Sequence, residues 1–501
     1  MQDKLNELKA RLQEVHDLQK ANAVLNWDQL VNMPPGGAAA RGQQLSTLSR
    51  LAQEKFIDPA IGRLLDALEP YAAGLPEDSD EARLLLVTRR EYERATRIPP
   101  AFIAAYSDHS AQSYQVWSEA RPANDFARVQ PLLEKNLEYS RQMAEFFPGY
   151  DHIIDPLIDF ADYGMKAAAL SALFARLRSQ LVPLVQAITA QPAADDSCLR
   201  GYFPQAGQLA ASREAAAALG FDFNRGLLAL TPHPFETSFA TGDVRINTRV
   251  KEDYLGECLY STIHEAGHGM YEQGVRTELD NSPLAGGTSS GAHESQSRLW
   301  ENQVGRSREF CEYFLPRLQA HFPGQLDDVS VDTFYRAVNK VQRSLIRTDA
   351  DEVTYNLHVM LRFDFEMALL EGRLAVKDLP EAWRERFQAD FGILPPDDRD
   401  GVLQDVHWFA GPIGGAFQGY TLGNVLAAQF FQAAQQAHPQ IPAEITQGRF
   451  STLHGWLKDN IYQHGAKFTA AELVQRATGG PVRIEPYIDY LKTKYGALYG
   501  F

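Results

Sequence analysis

A mainly α-helical protein with one small β-sheet is what this chain predicts, on three features of the sequence. Apolar residues recur at three- and four-residue spacing in segment after segment, the signature of amphipathic helices. One short stretch, residues 221–250, is instead rich in β-branched and aromatic residues. Directly after it comes His264-Glu265-Ala266-Gly267-His268, inside a run (Tyr254, Leu255, Cys258, Leu259, Ile263, Met270) apolar enough to be a half-buried helix. Histidines four apart on a helix share a face, so both imidazoles can grip one zinc ion. Glu265, beside the first, is then placed to take a proton from water as a general base. Gly267 and Gly269 each cost about 1 kcal/mol of helix propensity, which is understandable where something must approach the backbone closely.

Leu5, Leu8, Leu12, Val15 and Leu18 give an amphipathic first helix of about twenty-five residues that stops near Met33-Pro34-Pro35-Gly36-Gly37. Helical patterns follow over residues 43–56, 81–97, 100–119, 126–147 and 167–190, so residues 1–200 read as helical scaffold. Within residues 221–250, the segments Phe235–Ala240 and Val244–Val250 flank Thr241-Gly242-Asp243, a hairpin turn. A strand so close to a metal-binding helix can offer its edge to an extended peptide.

Residues 251–420 form the expected active-site region. After His268 comes a glycine- and serine-rich stretch, 283–291, then a helical pattern from Ala292 through Arg306 with His293 and Glu294 in its first turn. A catalytic zinc takes a third protein ligand, and by spacing Glu294 is one candidate beside Glu272, Glu278 and Glu301. A long helix is predicted from Val331 to Glu371, in which Arg347 and Asp351 stand i, i+4. They are either a routine helix ion pair or a guanidinium held by Asp351 and aimed at a substrate carboxylate. The segment Gly401 to Trp408, with Gln404, Asp405 and His407, precedes Gly411, Gly414, Gly415, Gly419 and Tyr420 and reads as a loop lining a cleft. No phosphate-binding motif occurs among these glycines. Residues 421–501 return to amphipathic helices.

Composition narrows the function classes. With 501 residues and 45% hydrophobic content the chain can bury a large core. Its formal charge of −16 argues against nucleic acid or an anionic membrane as main partner. No run of eighteen apolar residues occurs, and MQDKLNELKARLQEV lacks the apolar centre of a signal peptide. Cys198, Cys258 and Cys311 are odd in number and widely spaced, which suits a reducing compartment; the cytoplasm is the expected location.

Four segments together resemble the thermostable metallocarboxypeptidases typified by carboxypeptidase Taq: His264-Glu-Ala-Gly-His268, His293-Glu-Ser-Gln296, Ile346-Arg-Thr-Asp-Ala-Asp351 and Gly401-Val-Leu-Gln-Asp-Val-His-Trp408. Trp27-Asp28-Gln29, residues 33–37 and His233-Pro234-Phe235 also look like landmarks of that family. The resemblance spans almost the whole chain. It implies a single large helical domain with a deep groove roofed by N-terminal helices, acting as a homodimer that removes single residues from peptide C-termini. It implies His264, His268 and Glu294 as ligands of one Zn2+ per chain, Co2+ or another divalent ion being possible. Glu265 becomes the base, and Arg347 the reader of the free α-carboxylate of a peptide substrate. His407 and Tyr420 are the candidate oxyanion donors. Asp243 and Arg245 are implied as substrate-binding residues through the family's D-x-R-x-T pattern, here Asp243-Val-Arg245-Ile-Asn247. Asn247 replaces the usual Thr, and Thr248, one place late, points to the other face of the strand.

Overall fold

The computed structural model describes residues 1–501 and is helical nearly throughout. The first helix, Gln2–Val31, runs longer than its sequence pattern suggests and stops where Pro34 and Pro35 remove backbone donors. Helices Ala38–Phe56, Pro59–Ala72, Asp80–Arg97, Pro100–Ala123, Phe126–Glu145 and Ala167–Thr189 complete the scaffold. Pro59–Ala72 and a later helix, Gln205–Leu219, are additions to the sequence reading.

The apolar stripe of Gln2–Val31 (Leu5, Leu8, Leu12) joins Ile61, Leu64, Leu65, Leu68, Leu84 and Leu85 in a small core of its own. That core meets the rest of the protein through Val275, Leu279 and Leu284. Ala167–Thr189 is long and apolar enough to cross a membrane by composition, yet Leu170, Phe174, Leu177, Leu181 and Ile188 are buried in the main helical core. Its apolarity is accounted for by packing.

The sheet has three strands: β1 (Gly226–Leu230), β2 (Phe235–Ala240) and β3 (Asp243–Thr248), in the order β1-β3-β2. The β2–β3 hairpin is antiparallel as expected, while β1 pairs parallel with β3. Val244, Ile246 and Thr248 turn inward to the helix Leu255–Gly274, Thr248 Oγ1 meeting Ser261 Oγ at 2.7 Å. Asp243, Arg245 and Asn247 occupy the other face, as the alternation of a strand requires. There Asn247 Oδ1 accepts from Trp27 Nε1 of the first helix at 3.0 Å, and its Nδ2 donates to Phe235 O at 2.8 Å.

The predicted long helix from Val331 to Glu371 is two helices, Val331–Val338 and Tyr355–Leu370, separated by irregular chain. Asp351 explains the break. Its carboxylate accepts from the backbone N–H of Gln342, Val353 and Thr354, offering the chain an alternative to helical bonds.

Candidate metal centre and active site

The helix Leu255–Gly274 is anchored by Leu255, Leu259, Ile263, Ala266 and Met270, which leaves His264 and His268 half-buried on its other face. A side chain at Gly267 would lie 2.6 Å from Gln296 O and from Ser297 Cα. That missing side chain lets the helix Ser290–Arg298 press against the first and deliver Glu294.

Glu294 Oε2 lies 3.3 Å from His268 Nε2 and 3.6 Å from His264 Nε2. One donor atom from each of the three residues falls within 4.8 Å of the others. Oε1 of Glu294 accepts from Arg298 Nε at 2.8 Å. Burial pushes the Glu294 carboxyl up, but Arg298 and the two histidines outweigh it and hold it well below the usual carboxylate range. Two imidazole nitrogens and one anionic oxygen, with no fourth protein donor, fit a divalent ion that keeps a position open for chemistry. Of the alternatives left by spacing, Glu278 is exposed. Glu301 and Glu272 lie one layer out.

Glu301 Oε2 bonds His264 Nδ1 at 2.9 Å, and it reaches there because the helix after Arg298 widens into a π-helical turn, Leu299–Gly305. On the other ligand, His268 Nδ1 meets His293 Nδ1 at 2.6 Å, and His293 Nε2 meets Glu272 Oε1 at 2.8 Å. Sequence reasoning assigned none of these supporting roles. The i, i+4 spacing of Glu294 and Arg298 was the one visible signal. Glu265 is 6% exposed, and burial pushes its carboxyl up to about 7.

Arg347 sits in a short 3-10 turn, Arg347–Asp349, so the predicted helix ion pair with Asp351 does not form. Its partner is Asp405: Nε to Oδ2 at 2.7 Å and Nη2 to Oδ1 at 3.0 Å. Nη1 donates to Tyr355 OH at 3.1 Å. Buried Arg362 reaches the same Asp405 Oδ2 at 2.7 Å, a partner that the sequence did not suggest. His407 Nδ1 lies 2.8 Å from Asp405 Oδ1, and its Nε2 is 3.1 Å from Tyr420 OH. Asp405, His407, at the start of the short helix His407–Ala410, and Tyr420, in the helix Gln418–Ala437, thus form one bonded group with Arg347. Asp243 and Arg245 pair with each other on the face of β3 that meets the first helix. Arg245 bonds Asp243 through Nε at 2.9 Å and Nη2 at 2.8 Å, and its guanidinium lies 4.3 Å from the Trp27 ring centroid.

A cavity of about 760 Å3 has His264, Glu265, Arg298, Glu301, Arg347 and Tyr355 in its wall. Metal-assisted hydrolysis, the chemistry of a metallopeptidase, is what this donor set can do with a buried glutamate beside it and a cavity to take a peptide. Comparison with known proteins gives the particular family. Residues 7–495 match the family described as carboxypeptidase Taq (M32) metallopeptidase. Thermostable carboxypeptidase 1 of Thermus thermophilus is 39% identical, with 96% of each chain covered. Carboxypeptidase 1 of Bacillus subtilis is 34% identical, with 97% of each covered. The crystal structure of an M32 carboxypeptidase from Deinococcus radiodurans R1 superposes with a TM-score of 0.97 at 48% identity, covering 100% of both chains. The chain belongs to the carboxypeptidase Taq (M32) family and is a metallocarboxypeptidase.

Proposed function

We propose that the protein is a zinc carboxypeptidase that releases one amino acid at a time from the C-terminus of peptides, with Glu265 as its general base. The observation that carries this reading is the shared cavity: His264, Glu265 and Arg347 all line it. A residue whose α-carboxylate is held by Arg347 therefore presents its own peptide bond toward Glu265.

His264, His268 and Glu294 would hold the metal, which when bound polarises the scissile carbonyl and acidifies water. Glu265 takes a proton from the attacking water and returns it to the departing amine. Asp405 and Tyr355 occupy three of the five N–H donors of Arg347, which leaves two for a carboxylate. Tyr420 OH, held 3.1 Å from His407 Nε2, turns its one proton from that nitrogen to the developing oxyanion. Asp243 and Arg245 contribute through the first helix: Arg245, fixed by Asp243, stacks on Trp27 and holds that helix against the sheet. β2 is an edge strand of the sheet, a position that suits pairing with the rest of the peptide. The reading extends to a homodimer in the cytoplasm, supported by the resemblance of the motifs and by three unpaired cysteines.

Release of free amino acids from a mixed peptide pool, followed with and without chelator and after zinc is restored, tests the proposal. The expected result is chelator-sensitive release, one residue at a time, from free-ended peptides and almost none from C-terminally amidated ones. Equal cleavage of amidated peptides would overturn it.

A further inference from the structure

The two histidines of the candidate metal site differ in what stands behind them. His264 Nδ1 meets a carboxylate directly, that of Glu301, whose charge is shared with Arg298 Nη1 and Arg306 Nη2, each 3.2 Å away. His268 Nδ1 meets a second imidazole, and only beyond it a carboxylate, Glu272.

The protons of this second chain follow from the chemistry of its atoms. To give a lone pair to a metal from Nε2, His268 must carry its proton on Nδ1. A nitrogen-to-nitrogen contact of 2.6 Å holds one proton, so His293 Nδ1 is bare and accepts. The proton of His293 is then on Nε2, where it is donated to Glu272 Oε1 at 2.8 Å. Glu272 is fixed in turn: Gly287 N donates to Oε1 at 2.7 Å and Ser238 Oγ to Oε2 at 2.8 Å. Every donor points one way, from His268 outward to an anion anchored on β2 and on the loop before Ser290.

We infer that His293 is a positioning residue that sets the tautomer and ring orientation of His268, with Glu272 as the fixed acceptor at the end of the chain. The inference rests on the reading of His264, His268 and Glu294 as the ligand set. Outer partners of ligating histidines typically govern metal affinity by about ten- to a hundred-fold. Through Ser238 the chain also ties the metal-binding helix to the edge strand.

Zinc alone is the probe, so no peptide chemistry enters the test. Purified full-length protein and its His293→Leu, His293→Gln and Glu272→Gln variants are titrated with zinc against a chromophoric chelator, and the thermal transition of each metal-free protein is recorded. His293→Leu is expected to weaken zinc binding by about ten- to a hundred-fold. His293→Gln, whose amide oxygen can accept from His268 while its NH2 donates to Glu272, should recover most of that loss. Glu272→Gln should weaken binding by about ten-fold. Parent-like affinity in folded His293→Leu overturns the inference, as does a Gln variant no better than Leu; should the Leu variant not fold, parent-like affinity in Glu272→Gln overturns it. If the parent itself binds no zinc, or His268→Ala binds as tightly as the parent, it is the ligand reading that fails.

Discussion

Asp405 grips Arg347 along one edge of the guanidinium, Oδ2 accepting from Nε at 2.7 Å and Oδ1 from Nη2 at 3.0 Å. A planar cation held on one edge cannot turn, so its remaining donors point in a fixed direction. Arg347→Lys keeps the charge and loses the fork. It should lower kcat/KM for free-ended peptides by about a hundred-fold, the scale of 1.5–3 kcal/mol expected for a charged hydrogen bond. A variant that loses less than three-fold would remove Arg347 from the role of carboxylate reader.

The carboxylates of Glu301 and Glu294 are committed to His264 and Arg298, which leaves the base role to Glu265 in the proposed mechanism. Glu265→Gln should reduce kcat by about 10²–10⁴-fold, the usual size of a general-base contribution. Zinc content by elemental analysis should stay at the parent level. Near-normal turnover would end the proposed mechanism.

Trp27 is the pin between the first helix and the sheet, donating to Asn247 Oδ1 at 3.0 Å. Trp27→Phe leaves a buried amide oxygen unpaired at a cost of about 1–3 kcal/mol, and it also weakens the stack with Arg245. Limited proteolysis in the linker around Pro34–Gly37 should accelerate in this variant while the remainder of the chain stays resistant. Unchanged cleavage would mean that the pin carries no weight.

Glu366 is fully buried, its Oε1 accepting from Trp408 Nε1 at 3.0 Å, and burial pushes its carboxyl up to about 8. The folded protein therefore binds this proton more tightly than the unfolded chain, whose glutamates titrate near about 4.3. The stability it contributes is complete below that lower value and is lost as pH rises through about 8. Between pH 6 and pH 9 the melting temperature of the parent should fall, and Glu366→Gln should flatten that fall. Identical slopes in the two proteins would rule Glu366 out as the source.

Local patterning made much of the molecule legible. Leu5, Leu8 and Leu12 announce their helix because one buried face forces the spacing, and Gly242 announces a hairpin because its turn does. His264 and His268 are legible for the same reason. What escaped depends on contacts distant in sequence. The pair Arg347–Asp405 spans 58 residues, and Asp351 breaks a helix by bonding backbone that no periodicity marks. The strand β1 pairs in parallel with β3 across a separate connection, so no turn betrays it. Asp243 and Arg245 were recognisable as a motif, but their work on Trp27 needed the first helix in place.

The π-helical turn Leu299–Gly305 has a consequence for how this chain tolerates change in length. A π-helical turn takes up one surplus residue as a local bulge, so the helix on either side keeps its phase. Deleting a single residue there would close the bulge and restore the ordinary winding, leaving the helix beyond it nearly in phase while displacing the residues inside the turn. Glu301 stands inside that widened turn, so its reach to His264 would be lost without the loss of any side chain at the site. The wide turn thus acts as a spacer whose length is as much a part of the catalytic inventory as any residue in it.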